Sequence, residues 1–341
     1  MAVEMAAPIA AIPAFGANAG EGFWAELFDE ALQAGASDLY LTAGQSAFLR
    51  RNGLLEKIVL PEVPEMQEMG DLTAGFALTD AFMEELAGKF LTAAQRQLLA
   101  KSQEVDFSLT FEGQRLRGNF YRQQEHLALV LRFLPQHIPS LKEIHAPAAL
   151  YDLLTAKRGL VLVTGSTGSG KTTTLAAFLQ AVNERRAAHI LTLEDPIEYI
   201  FEPEKCFISQ RELGRDFSSF GGALRSALRE MPDILLVSEI RDRETMTTAL
   251  QAAETGLLVL GTLHTRGAAE AVRRIENFYP PEEQAIVRAE VAEVLTAVFS
   301  QQLLPARKKG RVPLVEVLLR EPSVCSLIRQ GKYSQLEGAM M

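Results

Sequence analysis

Apolar residues follow two different rhythms along this chain, and the change from one to the other divides it. Up to about residue 134 they come in short runs broken by polar turns. Trp24, Leu27, Phe28, Ala31 and Leu32 recur at helical spacing, and Asp38-Leu-Tyr-Leu-Thr42 and Ala47-Phe-Leu-Arg-Arg51 then read as short strands. Residues 105–111, 116–122 and 127–133 form three more strand-like segments joined by short polar turns, which predicts an antiparallel sheet in an α+β domain. Pro135, Pro139 and Pro147 then fall close together, as suits a linker that leaves the sheet.

Beyond this linker the apolar runs become nearly continuous and alternate with helical patterns. The runs are 160–164, 189–193, 234–237 and 257–263. Such alternation predicts a mostly parallel sheet covered by helices, whose ligands lie at the carboxyl ends of the strands. The polar residues following the runs are Gly165 onward, Glu194-Asp195-Pro-Ile-Glu198, Ser238-Glu239 and His264-Thr265. One rim is expected to collect them.

The first group carries the most specific chemistry. Gly165, Ser166, Thr167, Gly168, Ser169, Gly170, Lys171 and Thr172 complete a G-x-x-x-x-G-K-[ST] loop. An apolar strand precedes it and a helix with Leu175, Phe178, Leu179 and Val182 at helical spacing follows it. Backbone N–H groups at a helix N-terminus attract phosphate, Lys171 brings positive charge to the β/γ-phosphates and the Thr172 hydroxyl is placed to ligate Mg²⁺. Thr173 completes the nucleotide-binding set. ATP hydrolysis also needs a metal-holding acid and a group that handles water. Glu239, at a strand end, is assigned to the metal or its water shell, and Glu198 is assigned as the water-activating base. Glu194 and Asp195 can serve as turn and cap residues. His264 follows a very apolar strand, where an imidazole can sense the γ-phosphate.

Composition narrows the function classes. A formal charge of −9 and a pI near 5.3 argue against a protein built to neutralise nucleic acid, so no nucleic-acid partner is expected. Cys206 and Cys325 are far apart, which indicates neither a disulfide framework nor a zinc site and suits a reducing cytoplasm. No apolar stretch is long enough to span a membrane. Residues 1–20, rich in Ala, Pro and Gly, read as a loose tail, since Glu4 stands where a signal peptide would be basic.

Several of these segments, in this order, resemble the retraction (twitching-motility) ATPases of type IV pili, the PilT family. The acidic box is Leu193-Glu-Asp-Pro-Ile-Glu-Tyr199, followed by Ser209-Gln-Arg-Glu-Leu-Gly214. An atypical Walker B stands at Asp233-Ile-Leu-Leu-Val-Ser-Glu239-Ile-Arg-Asp242, and the histidine box at Ala253-Glu-Thr-Gly and Gly261-Thr-Leu-His-Thr265. The resemblance implies a PAS-like α+β domain over 21–134, a linker over 135–147 and a RecA-like P-loop NTPase domain over 148–341. It further implies a homohexameric ring with ATP and Mg bound between domains of neighbouring subunits. The ring would lie at the inner face of the cytoplasmic membrane, with an inner-membrane pilus platform protein as partner. Arg117 and Arg132 match family positions that reach the nucleotide, although on the residues alone they are arginines on a solvated sheet face. Departures from the pattern are Leu257 in place of the first histidine of the histidine box, Ser238 for a glycine, Met231 for an acid, and an altered motif over 322–329. The sequence also ends at Met341, ahead of the last helices that members of the family carry. An accessory ATPase subunit and an assembly or secretion ATPase stay open beside the retraction motor. The low cysteine count speaks against the assembly class, which commonly carries a tetracysteine zinc insertion.

Overall fold

The computed structural model describes residues 22–58, 78–306 and 310–340, so the tail expected over 1–20 lies outside the described residues. The chain forms two compact units, Met1–Gln136 and His137–Met341.

In the first unit the elements are α1 (Gly22–Gln33), β1 (Asp38–Thr42), β2 (Phe48–Arg51), β3 (Leu54–Lys57), α2 (Asp80–Phe90), α3 (Ala93–Ser102), β4 (Glu104–Phe111), β5 (Gln114–Gln123) and β6 (His126–Phe133). The strands make a six-stranded sheet in the order β3-β2-β1-β6-β5-β4, with every pair antiparallel. Period-two alternation gives the sheet one apolar face. Leu39, Leu49, Leu116, Phe120, Leu129 and Leu131 are buried there against Leu27, Phe28 and Ala31 of α1 and Met83, Leu86 and Ala87 of α2. Thr79 caps α2, and a reciprocal Thr92–Gln95 capping box starts α3. Neither helix nor β3 is among the elements expected from the pattern. β3 is four residues long with Leu54 and Leu55 exposed, so its pairing to β2 rather than any apolar alternation defines it.

The second unit contains α4 (Ala148–Asp152), β7 (Gly159–Thr164), α5 (Lys171–Asn183), β8 (His189–Glu194), β9 (Phe207–Glu212), α6 (Phe220–Ala227), β10 (Ile234–Val237) and α7 (Arg243–Glu254). β11 (Leu258–Leu263), α8 (Ala268–Glu276), α9 (Pro281–Val294), β12 (Leu295–Pro305), β13 (Arg311–Leu319) and α10 (Pro322–Arg329) complete it. Its seven-stranded sheet runs β13-β12-β7-β11-β10-β8-β9, parallel throughout except for the β12–β13 hairpin at one edge. All residues of β7, β10 and β11 are buried, because helices cover both faces. Alternate residues of one strand feed different cores. Leu160 and Leu162 join the core under α6–α10, whereas Val161 and Val163 join the core that contains α5. This is the α/β architecture expected from the sequence, a small first unit followed by a large, mostly parallel sheet. The four expected strands are β7, β8, β10 and β11, and the strand–loop–helix order around the phosphate loop is as expected.

The first core makes a specific demand on Gly118. A Cβ there would lie 2.2 Å from the Phe107 ring, which stacks on Phe120 with 5.3 Å between centroids. Gly118→Ala should therefore destabilise this unit by about 1–3 kcal/mol through overpacking. Trp24 is the one tryptophan in the sequence and packs on Phe28, Phe90 and Phe111, so denaturant unfolding followed by its fluorescence reports on this unit. An unchanged midpoint would contradict the packing account.

Candidate nucleotide site

The parallel sheet determines where the chemistry gathers. β7 ends at Thr164, the loop occupies 165–170, and α5 begins at Lys171 with Gly170 as its N-cap. Gly165 and Gly170 are held at φ of 146° and 89°, where a side chain is strained. A Cβ on Gly165 would also lie 2.3 Å from the backbone oxygen of Gln301, so the close approach of β12 excludes any larger residue.

Lys171 is buried, and its ammonium folds back over the loop, donating to the carbonyls of Gly165 and Ser166 at 3.0 Å each. Burial pulls its pKa down, while the charges of Glu239 and Glu198 push it up. The structure thus brings the lysine, the proposed base and the proposed metal acid into one electrostatic neighbourhood.

Two backbone bonds beyond the strand ends carry the chain to this rim. Ser238 N–H donates to Leu193 at 2.9 Å and Ile240 N–H to Thr262 at 3.0 Å. Between them Glu239 is gripped by Arg241, with Nε 2.6 Å from Oε1 and Nη2 2.7 Å from Oε2. His264 Nε2 lies 3.1 Å from the same Oε1. Burial raises the pKa of Glu239, but the hydrogen bonds and charge of Arg241, aided by His264, outweigh it and hold the carboxyl below its ordinary value.

Glu194 behaves in the opposite way. The expectation that it serves as a turn or cap residue is corrected by its position as the last residue of β8, only 4% exposed. Its Oε1 accepts from Thr192 Oγ1 at 2.7 Å and from Gln210 Nε2 at 3.2 Å. Burial, opposed by those bonds and reinforced by Glu198 and Glu212, pushes its pKa up to about 7. It lines a small cleft together with Thr172, Tyr199, Ser238 and Thr262. Asp195 is exposed, and its charge acts on Arg241. Thr173 ties the acidic segment to α5, since its Oγ1 is 3.1 Å from the Tyr199 hydroxyl.

Arg117 and Arg132 belong to the first unit, where they stand opposite each other on β5 and β6. Arg132 also opposes Asp38, donating from Nε to Oδ1 at 2.8 Å while its side chain stays 65% exposed. Arg117 is exposed. Both project from the polar face of that sheet.

Comparison with known proteins settles the family. The pattern of the "Type II/IV secretion system protein" family matches residues 120–337. The "Type IV pilus retractation ATPase PilT" of Pseudomonas aeruginosa is 40% identical over 92% of this chain and 88% of its own length. The "Uncharacterized protein YggR" of Escherichia coli is 49% identical over 74% of this chain and 78% of its own. A crystal structure of the pilus retraction motor PilT with bound ADP superimposes with a TM-score of 0.84 at 39% identity, covering 92% of this chain and 88% of that one. The chain belongs to the type II/IV secretion protein family, in its PilT branch.

As a PilT-family chain it can be tested for nucleotide and metal from its own residues. The hydroxyls of Thr164 and Ser169 are buried without a hydrogen-bond partner, and the latter belongs to the loop itself. Among the described residues no cluster of three or more His, Cys, Asp or Glu could enclose a metal. A hydroxyl and one carboxylate, Thr172 and Glu239, nevertheless suit Mg²⁺, which is commonly held by one or two carboxylates plus substrate phosphates. The sequence reading missed two participants in this PilT-like site. Arg241 was detectable as a base two residues after the strand-end acid. Gln301 carries no such signal, since it follows Ser300 and precedes Gln302 in a polar stretch after the apolar residues 297–299.

The raised pKa of Glu194 has a consequence for stability. Its folded pKa of about 7 lies above the ordinary 4.5, so the folded state binds the extra proton, and stability contributed by this group falls as pH rises from about 4.5 to 7. Glu194→Gln keeps an acceptor at Oε1 and removes that titration. The variant should gain stability relative to the parent between pH 5 and pH 8, by on the order of 2–3 kcal/mol. Parallel thermal unfolding at the two pH values measures this, and a constant difference would refute a titrating Glu194.

Proposed function

We propose that this chain is the motor ATPase of type IV pilus retraction, hydrolysing Mg-ATP as a homohexameric ring on the cytoplasmic face of the inner membrane and acting on the pilus platform protein there. The observation that carries the reading is the convergence of Lys171, Glu198, Glu239 and His264 around a complete phosphate loop. It occurs in a chain 40% identical to a pilus retraction ATPase over nearly its whole length. Among the described residues no helix is long and apolar enough to cross a membrane, so membrane association is assigned to the platform protein.

The geometry supports a role for each residue in this reading. Residues 165–173 bind the phosphates, with the loop N–H groups and the Lys171 ammonium facing their charge. Thr172 and Glu239 would hold Mg²⁺, which would neutralise negative charge developing on the phosphates. Glu239 stays ionised because Arg241 and His264 hold it so. Glu198 orients the attacking water and takes its proton. His264, already against Glu239, responds to the γ-phosphate position through that contact. Arg117 and Arg132 act on ATP bound by an adjacent subunit, a reading supported by their exposure on one polar row.

Lys171→Ala should abolish hydrolysis while the chain remains folded, and near-normal turnover would refute the assignment of the site. Arg132→Ala should lower turnover in the assembled ring, where an arginine acting in trans is worth about 10³–10⁵ in rate. Subunits carrying Arg132→Ala or Lys171→Ala, each inactive alone, should recover part of the ATPase when mixed. Mixed rings that form without any recovery would rule out the shared site. In the source organism, deletion should leave more surface pili and no twitching; fewer pili would assign the chain to assembly instead.

A further inference from the structure

β12 runs beside β7 in parallel register as far as the pair Ser300–Thr164. The next residue on β12 is Gln301, which therefore lies alongside the start of the phosphate loop. It is 2% exposed, and each end of its amide makes a hydrogen bond. Nε2 donates to the Ser169 carbonyl at 2.7 Å, and Oε1 accepts from the Thr174 hydroxyl at 3.0 Å. Its backbone oxygen occupies the space that a side chain on Gly165 would need, and its Nε2 lies 3.2 Å from where a Cβ on Gly170 would stand. One residue thus meets the first glycine of the loop, the last glycine, the carbonyl before it and the first turn of α5.

The bond to Ser169 has a directional consequence. A trans peptide is planar, with its C=O and N–H pointing in opposite directions. Drawing the Ser169 carbonyl toward β12 aims the Gly170 N–H away from β12. A phosphate cradle works through backbone N–H groups turned into the loop, so the orientation of this peptide matters to any bound diphosphate. The second bond ties the same amide to α5 and prevents it from rotating.

We infer that Gln301 is a positioning residue of the nucleotide site: its carboxamide sets the Ser169–Gly170 peptide so that the Gly170 N–H faces the β-phosphate. The inference rests on reading the loop as an ATP site. It separates the two bonds in importance. The donor to Ser169 governs affinity for the diphosphate, and the bond from Thr174 only steadies the donor.

Three variants of the full chain test this, with Mg-ADP titration calorimetry, steady-state ATPase and thermal unfolding as readouts. Gln301→Leu removes both bonds. Gln301→Glu keeps an acceptor for Thr174 but sets an oxygen against the Ser169 carbonyl. Thr174→Val removes only the steadying bond. Both Gln301 variants should weaken Mg-ADP binding by about 10- to 100-fold and lower kcat/KM by a similar factor, since a buried carbonyl loses its donor. Thr174→Val should stay within about threefold of the parent, as loss of one neutral hydrogen bond allows. A purely structural role would lower the unfolding temperature without changing the ADP affinity of the folded protein. Unchanged affinity in Gln301→Glu, or a loss in Thr174→Val as large as in Gln301→Glu, would overturn the inference. Should Gln301→Leu fail to fold, the comparison of Gln301→Glu with Thr174→Val decides the matter by itself. A parent chain that binds no Mg-ADP would overturn the nucleotide reading together with this one. Normal binding by the parent alongside unaltered Gln301 variants would overturn this one alone.

Discussion

A buried ammonium cannot be left without partners, and the arrangement of the second unit around Lys171 follows from that constraint. The loop curls so that two of its own carbonyls reach the Lys171 Nζ, while Glu198 and Glu239 supply opposing charge from the ends of neighbouring segments. Only a parallel sheet delivers such residues to one edge, since every strand of it ends on the same side. The strands in turn can be parallel and wholly apolar because helices cover both faces. The charge at the rim and the composition of the strands are thus two aspects of one architecture.

The acids of the rim are differentiated by their surroundings. Glu239 sits between Arg241 and His264, and their hydrogen bonds and charge hold its pKa below the ordinary value. Glu194 lies one strand away with neutral hydrogen-bond donors and no cation, and burial holds its proton to about pH 7. Carboxyl groups whose environments push their pKa values apart are a common basis for dividing labour in an active site. Here the division comes from the cation near one acid and its absence from the hydrogen bonds of the other.

The first unit is built on a different principle. Its sheet is antiparallel and two-faced, with aromatic residues packed under α1 and α2 on one side and a row of charged residues on the other. Asp38, nearly buried, anchors Arg132 and leaves the guanidinium largely exposed. Arg117 stands beside it on the neighbouring strand. Like charges placed directly opposite each other across two strands are unfavourable in isolation, and Asp38 offsets that cost while keeping both arginines available.

Local pattern alone determined much of this protein. Continuous apolar runs identified β7, β8, β10 and β11 because strands buried on both faces have no polar side to show. The glycines, Lys171 and Thr172 identified the phosphate loop because its backbone conformation and charge admit few other residues. Alternation identified β4, β5 and β6 for the same kind of reason, one face wet and one dry. Tertiary structure decided the rest. β9 is a partly exposed edge strand of mixed composition, and only its pairing to β8 makes it one. Glu194 looks like a turn residue in the sequence and is buried because Gln210 and Thr192 reach it from β9 and its own strand. Gln301 meets Ser169 across 132 residues of chain, and Arg132 meets Asp38 across 94. Contacts of that span depend on strand order and register, which residue periodicity does not encode.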